Sequence, residues 1–272
     1  MEFREIAFIG AGNMTRSIIA GMLSSDYPKQ QITATAPSES TRTAISTEFG
    51  INTSSNNVVA AKSADVIVLA VKPQMMEVVA AELKALDLSS KLIISIAAGI
   101  TCERLEAMFE QSLQLVRVMP NTPALIREGM SGLYAPNSVS ESDKTFSDQL
   151  MSAVGKVCWV DTEAGINNII AAAGSAPAYF FLFMEAMQQE AIAQGFDENT
   201  ARMLVQQTAL GAAEMVVANP DLGLSTLREQ VTSKGGTTAQ ALATFNQHNL
   251  SDIVAKAMQA AVTRAEEMES QI

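Results

Sequence analysis

Near the start of the chain, Gly10-Ala11-Gly12-Asn13-Met14-Thr15 follows a strand-like apolar run at residues 5–9 and precedes a stretch with helical spacing. In that setting the first glycine permits a tight turn and the second lets the backbone approach a pyrophosphate. The helix start that follows offers free N–H groups and a favourable dipole to the anion. The pattern predicts a dinucleotide held by Gly10, Ala11, Gly12, Asn13 and Met14. Thr15 stands where glycine or alanine usually lets helix and strand come close, which predicts slightly wider packing there. A site that holds a ribose 2′-hydroxyl places Asp or Glu at the end of the second strand. Here that place reads Ala34-Thr35-Ala36-Pro37-Ser38. Ser38, with Arg42 one helical turn on, suits a 2′-phosphate, so NADPH is favoured over NADH; Glu39 keeps NADH open. An ordinary helix cap at Ser38 and a solvated charge at Arg42 fit the bare sequence equally well.

Other chemistry-bearing residues are few. Lys72, in Ala70-Val71-Lys72-Pro73, is the one cation at the C-terminal end of a strand, where ligands of open α/β sheets gather. It reads as a contact to cofactor phosphate or ribose, or as a solvated surface lysine. Ser233-Lys234-Gly235-Gly236-Thr237-Thr238 can present successive backbone N–H groups at a helix start, a nest that binds a carboxylate without adding side-chain charge. As bare sequence it is also a turn with a cap. The single histidine, His248, falls near a late helix end and reads as structural. Cys102 and Cys158 stand apart, with no CxxC and no neighbouring histidines, so buried thiols are expected and neither a metal site nor a disulfide framework is indicated.

The elements that must position these residues fall into two regions. Apolar runs rich in Ile and Val at residues 5–9, 32–36, 66–71, 92–96 and 115–119 alternate with amphipathic stretches, the βαβ pattern of a parallel sheet covered on both faces. A less regular part follows at 132–135, then a helix capped within 140–143 and a last strand at 156–161. Residues 1–162 are thus expected to form a Rossmann-type dinucleotide-binding domain, and residues 163–272 an all-α domain. Segments such as AYFFLFMEAM are apolar around most of the helix and need cover from their own domain or a second subunit.

Composition narrows the partners. A net charge of −11, with no run of Lys or Arg, argues against nucleic acid and anionic membranes, so an anion must be held by local devices. The uninterrupted apolar runs are too short to span a bilayer and the start lacks a basic leader, which gives a cytoplasmic expectation.

Six motifs occur in order: the glycine turn with Asn57 after it, the AVKP run at 70–73, SIAAG at 95–99, MPNTP at 119–123, GSAPAY at 174–179 and SKGGTT at 233–238. Together they resemble the pyrroline-5-carboxylate reductase family over nearly the whole chain. The resemblance implies reduction of 1-pyrroline-5-carboxylate to L-proline by NAD(P)H, on a Rossmann domain joined to a helical dimerisation domain, in a homodimer or a ring of dimers. It implies that Asn57 touches the adenosine ribose, that Ala70, Val71, Lys72, Pro73 and Ala97 line the nicotinamide half, and that Asn121 lies near the reacting centre. Ser233, Gly235, Gly236, Thr237 and Thr238 would hold the substrate carboxylate, with Thr238 nearest the ring nitrogen. Lys234 departs from the family's proline. Two other classes stay open: an NADPH-dependent imine or β-hydroxyacid reductase on the same scaffold, and a non-catalytic dinucleotide sensor. The absence of Lys, Arg and His between Asp161 and Arg202 removes the lysine that hydroxyacid dehydrogenases carry there.

Overall fold

The computed structural model describes residues 2–271. It divides into two compact units, Met1–Ser175 with Ala261–Ile272, and Ala176–Ala260.

The first unit alternates strand and helix: β1 (Ile6–Ile9), α1 (Asn13–Ser24), β2 (Ile32–Thr35), α2 (Glu39–Phe49), β3 (Asn52–Ser54), α3 (Asn57–Ser63), β4 (Val66–Leu69), α4 (Met76–Leu83), β5 (Leu92–Ser95), α5 (Cys102–Phe109), β6 (Gln114–Met119), β7 (Gly129–Tyr134), α6 (Glu141–Ser152), β8 (Gly155–Trp159) and α7 (Gly165–Ile169). The strands form one sheet in the order β3-β2-β1-β4-β5-β6-β7-β8. Ile6 and Phe8 pack into one core layer, while Ala7 and Ile9 pack into the layer on the opposite face. Burial on both faces is why these strands read as unbroken apolar runs.

Three details differ from expectation. β3 is an addition, because Asn52-Thr53-Ser54 is a short polar edge strand with no apolar signal. The sheet is not parallel throughout: β7 runs antiparallel to β6 and parallel to β8. Residues 120–128, which join β6 to β7, hold only a 3-10 turn, too little chain for a parallel crossover, whereas α6 supplies one between β7 and β8. The last strand ends at Trp159, before Asp161. The expected cap near 140–143 is Ser140, whose Oγ accepts from the Asp143 N–H at 3.1 Å.

β6 also carries a charge inside the core. Arg117 is 3% exposed and pairs with Glu163 at 2.6 Å and with Glu269 at 3.1 Å. Asn167 Nδ2 donates to the second oxygen of Glu269, and Glu163 also accepts the Cys102 N–H. Burial, reinforced by Glu163, pushes the Cys102 thiol far up from its usual range, so it stays protonated and unreactive.

After Asp161 the described residues contain helix and no strand: α7, a π turn at Ile170–Gly174, α8 (Ala176–Ala193), α9 (Glu198–Ala218), α10 (Leu224–Gln230), α11 (Thr237–Gln247) and α12 (Leu250–Gln271). In the second unit Phe180, Leu182, Met203 and Val231 are each at least 60% exposed. The helical stretch Gly165–Ala193 runs 29 residues and contains an 18-residue window with a mean hydropathy of 1.5, long and apolar enough by length and composition alone to cross a membrane. Gly174 does not end this helix but sits in the π turn, so the helix is longer than the uninterrupted apolar runs of the sequence.

Candidate active site

The parallel strands β1, β2, β4, β5 and β6 bring their C-terminal ends to one edge of the sheet. That edge gathers Gly10, Ala36, Ala70, Ala97 and Asn121, the residues that follow each strand. The strand order reverses between β1 and β4, and there the backbones nearly touch. Gly10 has φ +111°, and a Cβ on it would lie 2.5 Å from the Ala70 carbonyl oxygen. Only glycine takes that conformation without strain. Gly12 caps α1 without any side-chain bond, and no acidic residue occupies the first turn. The amides of Asn13, Met14 and Thr15 are thus left to an anion, as orphan donors at a helix start are. Thr15 is buried and its hydroxyl donates to the Gly10 carbonyl at 2.9 Å, so the larger residue is accommodated by a bond within the turn. Gly10→Ala is expected to lower stability by about 1–3 kcal/mol, the usual cost of backbone strain, and to weaken NADPH binding; fluorescence titration and urea unfolding measure the two.

Beside this turn lies a cleft of about 640 Å³, lined in part by Gly10, Thr35, Ala36, Pro37, Asn57, Val71, Lys72, Met75 and Glu82. Four expected cofactor residues, Gly10, Asn57, Val71 and Lys72, therefore share one wall. Ala36 and Pro37 close β2, the strand whose end meets the adenosine ribose in this fold. Lys72 is exposed and makes no ion pair among the described residues. Pro73 opens a 3-10 turn and Ala97 is 8% exposed just past β5. Ser38 caps α2, accepting from the Thr41 N–H at 3.5 Å, and Arg42 donates to the carbonyls of Ala36 and Pro37, both at 2.7 Å. Arg42 is thus tied to the loop it was expected to flank, where it braces the backbone that follows β2. Sequence reasoning missed Met75, Val78 and Glu82. Their only signal was helical phase, since Met75, Val78, Val79 and Glu82 recur every three or four residues along one face.

Asn121 is 8% exposed and its carboxamide is engaged at both ends, accepting from the Met130 N–H at 2.9 Å and donating to the Ala173 carbonyl at 3.1 Å. That geometry makes it a brace for neighbouring backbone.

In the second unit, the Gly236 N–H donates to the Ser233 carbonyl at 3.0 Å and Gly235 has φ +74°, the turn geometry that demands glycine in its third position. Lys234 occupies the second position, where proline is favoured. Gly236 caps α11 without a side chain, and a Cβ there would meet Ser233 Oγ at 2.4 Å. The N–H groups of Thr237, Thr238 and Ala239 follow as the first turn of an eleven-residue helix with no acidic residue in it. His248 closes the same helix at its other end.

A family model described as pyrroline-5-carboxylate reductase dimerisation matches residues 163–268, and one described as NADP oxidoreductase, coenzyme F420-dependent, matches residues 5–99. The chain is 68% identical over 269 residues to a pyrroline-5-carboxylate reductase of Vibrio alginolyticus, covering 99% of each. It superposes on the solved pyrroline-5-carboxylate reductase of Coxiella burnetii with a TM-score of 0.93 at 40% identity, covering 98% of this chain and 99% of that one. The pyrroline carboxylate reductase of Plasmodium falciparum, solved with NADP bound, gives a TM-score of 0.86 at 30% identity and 99% coverage of both chains.

Proposed function

This chain belongs to the pyrroline-5-carboxylate reductase family, and from that premise we propose how its residues divide the work of the reaction. It is an NADP-dependent oxidoreductase that reduces 1-pyrroline-5-carboxylate to proline, the last step of proline biosynthesis. It carries a dimerisation region. We assign residues 1–162 to the cofactor and residues 163–272 to dimerisation and substrate, in a homodimer or a ring of dimers in the cytoplasm. The exposed apolar side chains of the second unit support a covered surface there.

When bound, NADPH supplies a hydride. The residues present fit it: a Cβ on Gly12 would meet nothing within 4 Å, so the backbone there is open to a pyrophosphate, the first turn of α1 carries no acidic residue, and the cleft beside it has the size of a nucleotide pocket. In our reading Gly10, Ala11, Gly12, Asn13 and Met14 hold the pyrophosphate. Ser38, Arg42 and Asn57 serve the adenosine end, and Ala70, Val71, Lys72, Pro73 and Ala97 the nicotinamide half. Lys72 supplies positive charge to phosphate or ribose. Asn121 positions the backbone that follows β6. The turn at Ser233, Gly235 and Gly236 and the amides of Thr237 and Thr238 anchor the substrate carboxylate, and the Thr238 hydroxyl meets the ring nitrogen or carboxylate.

A protonated cyclic imine is already electrophilic, so no side chain must deliver a proton to a developing alkoxide. Holding two rings in place is the main task, worth up to about 7–11 kcal/mol. The single observation that carries this division is the cleft uniting Gly10, Asn57, Val71 and Lys72 at the sheet's switch point. The test follows NADPH oxidation with 1-pyrroline-5-carboxylate and identifies the product. Stoichiometric proline is expected; cofactor binding without turnover on any imine would leave only a dinucleotide sensor.

A further inference from the structure

The cleft beside the cofactor turn is lined by one carboxylate and one ammonium, Glu82 and Lys72. Glu82 lies in the last turn of α4, and its Oε2 accepts from Asn57 Nδ2 at 2.7 Å. Asn57 Oδ1 accepts from the Thr35 hydroxyl at 2.6 Å, and that hydroxyl oxygen accepts from the Gly10 N–H at 3.3 Å. A carboxylate can only accept, so Glu82 takes the amide N–H of Asn57 and turns the carboxamide oxygen to Thr35. The buried Thr35 hydroxyl donates to that oxygen at 2.6 Å, closer than the Phe8 carbonyl at 3.3 Å, while its own oxygen accepts from the Gly10 N–H.

The end of β2 lacks the acid that usually holds a ribose hydroxyl. α4 brings one to the same pocket that Ala36 and Pro37 line. We infer that Glu82 is a specificity-determining residue of this enzyme, setting the balance between NADPH and NADH; the inference rests on the cofactor reading above. Its charge favours a ribose hydroxyl, which donates, and opposes a 2′-phosphate, which carries like charge. Lys72, which lines the same cleft, carries the opposite charge and offsets part of that repulsion.

The test compares the Kd of NADPH and of NADH by fluorescence titration, and kcat/KM for each with 1-pyrroline-5-carboxylate as substrate, in the parent chain and in Glu82→Gln. The amide keeps an oxygen for Asn57 and removes the charge. The NADPH to NADH ratio is expected to rise about tenfold, the scale of one charge interaction near a protein surface, carried by KM for the cofactor. Glu82→Ala is expected to raise the ratio too, with both values lower because Asn57 loses its partner. A ratio that does not move in Glu82→Gln, or equal losses with both cofactors, overturns the inference while leaving the enzyme's function intact. A parent chain inactive with either cofactor overturns the cofactor reading and this inference with it.

Discussion

Thr238→Ala should leave NADPH affinity unchanged and lower kcat by about 10–150-fold, the loss of one hydrogen bond to a charged group, roughly 1.5–3 kcal/mol. The residue sits in the first turn of α11, half-buried, next to the turn built by Gly235 and Gly236. The neighbouring amides are donors suited to a carboxylate tail, and the hydroxyl oxygen can accept from a protonated ring nitrogen. Removing the methyl alone distinguishes packing from hydrogen bonding, so Thr238→Ser should recover most of the turnover. Stopped-flow measurement of hydride transfer at saturating cofactor checks both variants. Unchanged kinetics in Thr238→Ala would remove the residue from the site.

Arg117→Met should destabilise the protein by about 3–5 kcal/mol, because it leaves two carboxylates facing a nearly dry pocket with no cation between them. Glu163 and Glu269 are 26% and 18% exposed, so water relieves only part of the cost. The expected readout is a lower urea midpoint. Adding Glu163→Gln and Glu269→Gln to Arg117→Met should recover a large part of the loss. Neutral amides no longer repel each other, and the carboxamide oxygen introduced by Glu163→Gln can still accept the Cys102 N–H. If the single variant unfolds at the parent midpoint, the guanidinium is not what joins β6 to these two helical segments.

Arg117 also marks the limit of what was legible. Its strand is apparent from Leu115, Val116 and Val118, but a charge in mid-strand announces only that partners exist. Those partners are Glu163, 46 residues away, and Glu269, 152 residues away, and no local pattern selects them from the other acids. The cleft divides the same way. Gly10 is recognisable because a turn of that shape excludes other residues, Gly12 because the spacing pairs it with Gly10, and Lys72 because it follows a strand. Glu82 and Met75 line the same wall only because α4 packs beside α3, a contact between helices that periodicity does not report. For Asn121 the motif gave the residue but not its partners: its carboxamide meets the Met130 N–H and the Ala173 carbonyl, contacts that only the packed chain brings together.

Local constraints in the amino-acid sequence were enough for the alternating sheet, the dinucleotide turn, the helical second half and the capped loop before α11. Each follows from short-range physics: apolar period, the absent Cβ of glycine, hydroxyl caps. Tertiary structure alone decided the reversed direction of β7 and β8, the pairing of Arg117, and the hydrogen-bonded line from Glu82 to Gly10. These depend on which distant side chains meet when helices and strands pack, and packing energy belongs to the assembled surfaces, not to any segment of the chain.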